Sequence, residues 1–600
     1  MNRRRNLLLL LATAASAVTL LTGLFLLRTR NSGSLVRVAP DAQQQKRHPI
    51  TSLISKGESD WHHLLSKRTH ELGDAARRYR WRRKRHPPPG FDEWFRYAQE
   101  RDAVIVEDFF DQIHHDLNPL WSMEPKRIRQ LAAGFEHVIS VRGGNAFFKT
   151  DQERRRMNLW HELVDTISQH LPDLDIALNI MDESRVTVPW EQIDEAMRNE
   201  SATRIELPAA EVITAFPRHP SDERDEEPAP QPHWITSGSY WDFVRVACPP
   251  TSPSRHVPPL GNFNEPPELP TKYPENSFEG YVSNWTLAND PCVQPHLRGL
   301  HGTFIEPVSI SSTHELFPIF GESKLPMNNE ILIPPAMYWG HDPMFSGGDD
   351  EHGPPWEKKE ARLMWRGVAS GGRNKIDNWK HFQRHRFVSM MNGTSVLLAE
   401  STREGPPNFK LPSYHYNLKA HRNGFLGTWL STFTDVAFVN LECFPNEDLT
   451  CSYVDDYFAV KDKIPMKEQY MAKYLPDIDG NSYSGRYRGF LRSTSLPIKS
   501  TIYSEWHDSR LVPWVHFVPM DTTYVDMYGI LDYFLGFEGY DSHDDAAKKI
   551  ALGGQDWAGK ALRKEDMQIY VYRLLLEYAR LCNDQRERLG FIEDLLQDGS

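Results

Sequence analysis

Short apolar runs alternate with helical patterns along most of the chain. The runs include residues 176–180 within DLDIALNIMDESRV and the segment DVAFVNL at 435–441. The segment EDMQIYVYRLLLEYARLC spaces Ile569, Tyr572 and Leu576 as in an amphipathic helix. Strands that alternate with helices are typical of parallel α/β sheets. The pattern resets near residue 340, so we expect two such domains, at residues 91–340 and 341–600.

The most apolar stretch lies at residues 7–27, which are 21 residues without a charge. As a helix this stretch would be about 30 Å long, which matches the core of a bilayer. It is longer than the apolar region of a cleavable signal, so we expect an uncleaved transmembrane signal-anchor. Residues 1–6 would then form a cytoplasmic tail and the remainder would lie in the lumen. The alternative is a cleaved signal peptide.

Residues 28–90 predict a polar stem followed by a basic helix. The helix is predicted over residues 59–85 and ends in RRYRWRRKRH, in which seven of ten residues are Lys or Arg, before a run of three prolines. This pattern favours a solvated basic face or a patch near anionic lipid or acidic glycan. Further along, the Pro-rich acidic stretch at 216–232 predicts a mobile loop.

The composition excludes two classes of protein. Hydrophobic residues make up 40% of the chain, which is enough for large cores and excludes global disorder. The net charge of −12 argues against a nucleic-acid partner, since duplex-binding proteins are usually basic.

A lumenal location has consequences for cysteines and for glycosylation. In an oxidising lumen the expected disulfides are Cys443–Cys451 and Cys248–Cys292, with Cys582 left over. No C-x-x-C pair occurs in the sequence, so a structural zinc site is not expected. Three sequons, each matching N-x-[ST], are candidates for N-glycosylation: Asn199, Asn284 and Asn392.

The segment WRGVASGGR at 365–373 predicts a strand, a glycine-rich loop and then a helix. Backbone N–H groups and the start of a helix dipole would make this loop an anion site. Arg366 and Arg373 add charge that a diphosphate could bind in bidentate fashion. The segment matches neither common phosphate-loop pattern, and an ordinary tight turn is the alternative.

The stretch YLPDIDGNSYSGRYRGFLRSTSLPIKSTIYSEW at 474–506 repeats this arrangement. Its small-residue loop, 480–485, is followed directly by Arg486. Asp477 and Asp479 resemble the Asp-x-Asp pair of metal-dependent sugar transferases, although acids that organise a turn are the alternative. If arginines and helix ends hold the phosphates, no metal is required.

Asp182 is the candidate general base, because it follows an apolar strand at its carboxyl end. The neighbouring Arg185 could hold it in place. The alternative is a structural ion pair between Arg185 and either Asp182 or Glu183. Further candidate site residues are Lys499, Glu505 and His507, whereas His516 is expected to pack near a strand.

Together these segments resemble glycosyltransferase family 90, the fungal capsule-associated proteins and the protein O-glucosyltransferases. The pieces that carry the resemblance keep their order across about 500 residues: PPPGFDEWFRYA (87–98), NIMDESRV (179–186), LRGLHGTF (297–304), ILIPPAMYW (331–339), WRGVASGG (365–372), the segment 477–519, and YRLLLEYARL (572–581). The first two pieces are in the style of the fungal branch.

The resemblance implies a GT-B fold, in which two Rossmann-like domains face each other across the site. It also implies inverting transfer from a UDP-sugar, with no cofactor and no obligatory metal. On the matching motifs Asp182 is the catalytic base. The residues implied in UDP-sugar binding are Arg366, Gly367, Ser370, Asn481, Ser482, Tyr483, Ser484, Gly485, Arg486 and Glu505, with Arg486 at the diphosphate. Because base and arginines lie in different domains, we expect the cleft to close during the reaction.

The expected donor sugar is glucose or xylose, and the expected acceptor is a cell-wall or capsule glycan or a glycoprotein. The predicted anchor favours the Golgi membrane. An alternative from another class is a catalytically silent family member that binds glycans or organises other enzymes.

Overall fold

The computed structural model describes residues 47–150, 154–217, 230–270, 273–274, 276–346, 352–402, 407–444, 451–538 and 541–597. The described residues divide into two units, with the boundary between residues 52 and 53. The described part of the first unit contains only the start of one helix. Both sheets and all candidate site residues belong to the second unit.

The first sheet lies in the N-terminal half, and its strands are arranged in the order β2-β1-β3-β6-β7. Strands β3, β6 and β7 are parallel, but β1 runs antiparallel to both of its neighbours. The expected parallel sheet is therefore mixed in this half. The strands are β1 Val138–Arg142, β2 Asn145–Lys149, β3 Leu174–Leu178, β6 Ile319–Gly321 and β7 Ile331–Leu332.

A tight turn explains the antiparallel pair. Gly143 and Gly144 lie between β1 and β2, with φ angles of 55° and 81°, and Arg142 pairs with Asn145 across the turn. Two consecutive positive φ angles make the two-residue turn that suits the twist of a hairpin, and glycine adopts them without strain.

The second sheet is parallel throughout, with the strand order β12-β11-β10-β8-β9. Its central strand β10 is buried at every residue except Lys473, as expected for a strand covered on both faces. The strands are β8 Glu360–Val368, β9 Thr434–Asn440, β10 Ala472–Ile478, β11 Leu496–Ser500 and β12 Val518–Pro519; the short strands β4 Ser277–Phe278 and β5 Tyr281–Val282 form a separate hairpin.

Helices surround both sheets. In chain order the helices up to residue 346 are α1 Pro49–Leu65, α2 Leu72–Arg83, α3 Phe91–Gln99, α4 Asp111–Leu117, α5 Pro125–Ala133, α6 Arg155–Asp165, α7 Trp190–Ala202, α8 Tyr240–Ala247, α9 Trp285–Ala288, α10 Gly302–Ile305, α11 Ala336–Trp339 and α12 Pro343–Ser346. The later helices are α13 Gln383–Met391, α14 Gly393–Ser401, α15 Lys419–Arg422, α16 Leu426–Ser431, α17 Met466–Gln469, α18 Tyr487–Arg492, α19 Met527–Leu535, α20 Asp544–Ala561, α21 Lys564–Leu581 and α22 Glu593–Gln597.

Helix α21 joins the two halves of the second unit. Its pattern predicts an amphipathic surface helix, but almost every residue from Asp566 to the helix end is buried. The helix packs against α3, where the indole of Trp94 donates a hydrogen bond to the carbonyl of Ile569 at 3.0 Å. The ring of Tyr570 meets Trp506, which follows β11. The helix is thus enclosed on nearly all sides and buries the charged residues Arg573, Glu577 and Arg580 together with its apolar ones, which the one-sided pattern did not predict.

The structure corrects the prediction of one basic helix over residues 59–85. The segment forms two helices, α1 and α2, and most of the basic residues at its end are paired within the chain. Arg80 pairs with Asp594, Arg82 with Asp111, Arg83 with Glu107 and Arg85 with Glu200. Since the partners are distant in sequence, the basic run could not reveal them, and it is largely an internal ion-pair network rather than a solvated face.

The transmembrane helix in the predicted fold class also needs correction. Among the residues that the structure describes, no helix has both the length and the apolar character needed to span a bilayer. The predicted tail and anchor, residues 1–27, lie outside the described residues, as do most of the stem before residue 47 and residues 218–229 of the acidic stretch. The described chain is an α/β protein with two five-stranded sheets. The predicted domain boundaries stay a prediction.

The buried hydroxyl of Tyr79 gives a test of the packing of α2 on α21. The hydroxyl donates to Glu577 at 2.9 Å and accepts from Arg580 at 2.7 Å. We expect Tyr79→Phe to lower the free energy of unfolding by about 1–3 kcal/mol, because two buried charged groups lose a hydrogen-bond partner. Urea denaturation measures this change.

The matched control is Tyr414→Phe, because Tyr414 is 80% exposed. We expect a change of less than about 0.5 kcal/mol for the control. Equal effects of the two substitutions would contradict the assigned role of Tyr79.

Candidate functional site

A cleft of about 680 Å³ opens at the carboxyl ends of strands β3, β8, β9 and β10. The carboxyl edge of α/β sheets is where such folds usually bind ligands. Ten of the residues predicted for the site line this cleft: Asp182, Arg366, Gly367, Ser370, Asn481, Ser482, Tyr483, Ser484, Gly485 and Arg486. Glu505 does not line it.

Asp182 follows β3 and is held by two side chains. Its Oδ1 accepts a hydrogen bond from the guanidinium of Arg156, and its Oδ2 accepts from Nδ2 of Asn481 at 3.3 Å. The carboxylate keeps 33% of its side-chain surface exposed in the cleft. A carboxylate that is exposed in a cleft can accept a proton from a bound hydroxyl group.

Arg185 pairs with neither Asp182 nor Glu183. It therefore does not hold the base candidate in place, and it does not form the structural ion pair that was the alternative. The Arg185 guanidinium donates to the carbonyl and hydroxyl of Ser311 and lies over the ring of Trp234 at 4.0 Å. The nearby Glu183 accepts from Ser309 instead. Arg156, on α6, takes the role expected of Arg185.

Arg156 also contacts a second, buried carboxylate. Its Nε lies 3.6 Å from Oε2 of Glu322, which also accepts a hydrogen bond from the hydroxyl of Tyr483 at 3.1 Å. Burial lowers the pKa of the Arg156 guanidinium, but Glu322 and Asp182 more than offset this effect, so the pKa is raised overall. Arg156 therefore stays charged beside Asp182.

Asn481 connects the glycine-rich loop after β8 to Asp182. Its Oδ1 accepts from the backbone N–H groups of Gly371 at 2.9 Å and Gly372 at 3.0 Å. Its Nδ2 donates to Asp182, as described above. Thus the base candidate already touches the predicted nucleotide-sugar loop, whereas the sequence led us to expect that cleft closure would be needed to bring the two together.

The glycine-rich loop does not open a helix, which corrects the anion site predicted there. Helix α13 begins at Gln383, ten residues after Arg373, and the amides of Gly371 and Gly372 already bind Asn481. The guanidinium of Arg373 is also engaged, since it donates to the carbonyl of Val308.

Arg366 lines the cleft, but its charge is used elsewhere. Its guanidinium donates to the carboxylate of Asp435 at 2.7 Å and to the carbonyl of the same residue at 2.9 Å. Both residues lie on neighbouring strands β8 and β9. Arg366 therefore links two strands of the sheet, and its charge is not free to face a diphosphate.

Arg486 is a cation of the cleft that lacks a full set of partners; the Nε of Arg366 also lacks one among the described residues. Its NH1 donates to the carbonyl of Arg366 at 2.5 Å, and its buried NH2 has no hydrogen-bond partner among the described residues. Burial lowers the pKa of this guanidinium. A buried donor without a partner costs free energy, and an anion bound in the cleft would remove that cost.

Arg384, on α13, adds a buried cation beside Arg486 that the sequence did not indicate. It donates to the carbonyls of Val368 and Asp479 at 2.9 Å each and to the hydroxyl of Ser370 at 2.7 Å. Burial and the nearby Arg486 lower its pKa to about 10. The two guanidinium groups lie over the same ring, that of Trp365, at 5.7 and 5.5 Å. Two close cations bound mostly to neutral oxygens make this wall of the cleft positive.

The acids of the Asp-x-Asp sequence are occupied by internal partners. Asp477 pairs with Lys499 at 3.1 Å, and Asp479 accepts from the backbone N–H of Ile502 at 2.9 Å and lies 3.4 Å from His301. No group of three or more potential metal ligands occurs within the described ranges. The interpretation of these acids as organisers of the local structure fits these contacts.

Glu505 lies behind the cleft wall in a buried network. It contacts Lys499 at 3.3 Å, His507 at 3.4 Å and the hydroxyl of Tyr338 at 2.8 Å. Burial would raise the pKa of Glu505, but His507 and Lys499 lower it to about 2. The side chain has no exposed surface, so its place is structural, unlike the substrate contact implied by the resemblance.

Arg156, Glu322 and Arg384 are the cleft and second-layer residues that sequence reasoning missed. Arg384 lies in HFQRHRF, and Arg156 lies in a run of three arginines. Neither segment follows a strand directly or contains a glycine-rich loop. No local signal separates these arginines from ordinary surface arginines.

The predicted cysteine pairs and sequons can also be located. Disulfides join Cys248 to Cys292 and Cys443 to Cys451, and Cys582 is free and buried. The sequon residues Asn199 and Asn284 are exposed, whereas Asn392 is half-buried and caps α14; Asn284 caps α9.

Comparison with known proteins gives one family match and several partial relatives. The family model described as glycosyl transferase family 90 matches residues 444–589, which include the loop that carries Asn481 and Arg486. Protein O-glucosyltransferase 2 of Danio rerio is 32% identical over 110 residues, 18% of this chain and 21% of the relative. The O-glucosyltransferase rumi homolog of Aedes aegypti is 28% identical over 131 residues, 21% of this chain and 31% of the relative.

Protein O-glucosyltransferase 3 of Homo sapiens is 31% identical over 116 residues, which cover 19% of this chain and 22% of the relative. The matches thus span less than a third of each relative's own length. The family match covers residues 444–589, and over this part of the chain the resemblance to glycosyltransferase family 90 seen in the sequence is confirmed.

The buried pair of Glu505 and His507 predicts a pH dependence of stability. Burial would lower the pKa of His507, but Glu505 and Asp508 raise it from 6.5 to about 9. A raised pKa contributes stability in full below pH 6.5, and this contribution is lost as the pH rises through 9. The difference corresponds to about 3 kcal/mol at most.

We expect the stability advantage of the wild type over His507→Gln to shrink between pH 6.5 and 9. Chemical denaturation at several pH values measures it. Using the difference between the two proteins cancels the titration of other groups. An advantage that stays constant over this range would contradict the assigned ion pair.

Proposed function

We propose that the protein is an inverting glycosyltransferase that moves a sugar from a UDP-sugar to a hydroxyl group of a glycan or glycoprotein. One observation carries the proposal: the carboxylate of Asp182, the half-buried cation Arg486 and the buried cation Arg384 line the same cleft. A base on one wall and a positive wall beside it are the two requirements of such a transfer.

The donor side rests on Arg486. The unpartnered NH2 of this side chain is a charge-assisted donor for a phosphate oxygen. Arg384 adds positive charge next to it, so a diphosphate that gains one negative charge as its bond to the anomeric carbon breaks would be stabilised without a metal ion. The absence of a cofactor is part of the same proposal.

The acceptor side rests on Asp182. In the proposed step the acceptor oxygen forms a bond to the anomeric carbon while the bond from that carbon to the diphosphate oxygen breaks. The acceptor proton passes to Asp182, and the electron pair of the broken bond leaves with UDP. A single displacement of this kind inverts the anomeric centre and requires no second carboxylate nucleophile.

The donor sugar is proposed to be glucose or xylose, and the names of the relatives favour glucose. The two disulfides support a site of action in the oxidising lumen of the secretory pathway, with the Golgi as the proposed compartment.

Release of UDP from a panel of UDP-sugars, with EDTA present and with glycan or protein acceptors, tests the reaction. Transfer from one donor supports it. UDP binding without any transfer would favour the catalytically silent alternative.

Asp182→Asn tests the base. We expect kcat to fall by about 10²–10⁴-fold, since an amide cannot accept the proton. The Kd for UDP should stay within about twofold, because Asn retains the shape of Asp and a hydrogen bond to Asn481. Initial rates and calorimetry measure the two quantities.

Asp175→Asn is the matched control for this substitution. Asp175 lies on β3, the strand that precedes Asp182, but pairs with Arg142 outside the cleft. We expect kcat to be unchanged in the control. Loss of UDP binding in Asp182→Asn would point to a structural role for Asp182.

Arg486→Ala tests the donor side. We expect the Kd for UDP to rise about 10–100-fold, since a charge-assisted hydrogen bond contributes about 1.5–3 kcal/mol. The matched control is Arg362→Ala, because Arg362 lies on β8 near Arg366 but pairs with Glu360 outside the cleft. Equal UDP affinities for all three proteins would overturn the assignment of Arg486.

A further inference from the structure

A second concave site lies on another part of the molecule. A groove of about 650 Å³ is formed by helix α2 and the segment that enters α22, and it shares no lining residue with the cleft. Its volume lies within the range of about 300–1,000 Å³ that small-molecule sites occupy. Nothing in the proposed transfer reaction uses it.

The groove contains an aromatic ring that folding alone does not explain. The indole of Trp81 lines the groove and is 70% exposed, although the other side of α2 packs into the protein through Tyr79. An exposed Trp presents a large flat apolar face to water. Such a face fits the C–H side of a pyranose ring, whose hydroxyl groups point outward from the ring.

Polar side chains surround the indole. Asp594 accepts a hydrogen bond from Arg80 through Oδ2, whereas its Oδ1 is buried and has no partner among the described residues. Glu206 lies 3.9 Å from Nε of Arg80. Carboxylates and guanidinium groups beside an aromatic face are suitable partners for sugar hydroxyls.

The charge of the groove indicates what kind of ligand it takes. Three basic residues are balanced by four acidic ones: Arg77, Arg80 and Lys84 against Glu71, Glu206, Glu593 and Asp594. An anionic lipid surface or an acidic glycan favours an excess of basic residues. The balanced groove instead suits a neutral polyhydroxyl ligand, and its concave shape also differs from a flat membrane-binding face.

We propose that this groove binds a neutral oligosaccharide, with one pyranose ring stacked on the indole of Trp81. The site would hold a glycan chain apart from the cleft in which transfer takes place. Its ligand is recognised by Trp81 and by the polar side chains around it.

Fluorine NMR of the full chain labelled with 5-fluorotryptophan tests the proposal. The resonance of Trp81 is assigned by its loss in Trp81→Phe. Cellotriose, laminaritriose and α-1,3-mannotriose are then titrated separately, to about 10 mM, which detects binding down to millimolar affinity. We expect at least one of them to shift the Trp81 resonance saturably, and we expect UDP to leave it unchanged. Because UDP binding in the cleft is measured separately, failure of the transferase proposal would not affect this result.

Gly73→Leu tests the groove while keeping Trp81. Gly73 lines the groove, and a Cβ added there would meet no atom within 4 Å, so a larger side chain fills the space without strain. We expect the affinity for the sugar to fall at least about fivefold, comparable to the loss of an aromatic contact. The matched control is Gly559→Leu, which has the same free space but lies on α20 outside the groove.

Three results would overturn the proposal. They are a Trp81 resonance that none of the three sugars shifts, sugar affinity unchanged in Gly73→Leu, and a Trp81 shift produced by phosphatidylserine vesicles but by no sugar.

Discussion

The side chain of Asn481 is the contact on which the geometry of the cleft depends. Its amide oxygen holds two backbone N–H groups of the glycine-rich loop after β8, and its amide nitrogen reaches Asp182 after β3. One side chain therefore ties the loops of both sheets together. Because these loops hold the base candidate and border the positive wall, the separation of Asp182 from that wall depends on this amide.

Charge is distributed unevenly around the site. Behind the cleft wall a row of buried charges has partners of opposite sign: Asp477, Lys499, Glu505 and His507. At the wall itself Arg384 and Arg486 donate mainly to neutral oxygens, and one donor has no partner. A protein tolerates such a deficit of negative charge where a ligand supplies it.

Much of the site could be predicted, because the ends of strands can be recognised in the sequence. The apolar run before Asp182 and the small-residue loop before Arg486 place both residues at the carboxyl edges of sheets. The roles of Arg366 and Glu505 could not be predicted, since both depend on partners, Asp435 and His507, that only the folded chain brings close. The hairpin that makes the first sheet mixed depends on Gly143 and Gly144. These two consecutive glycines are a hairpin signal that the sequence contains.

Hydrogen–deuterium exchange of the full chain, with and without UDP, tests the central claim most directly. The claim is that the cleft bordered by Asp182, Asn481 and Arg486 is where a nucleotide sugar binds. It predicts that UDP slows amide exchange in residues 366–372 and 480–486 and leaves the first sheet's outer strands, β1 and β2, unchanged. Protection centred elsewhere in the chain, or no protection at saturating UDP, would contradict it.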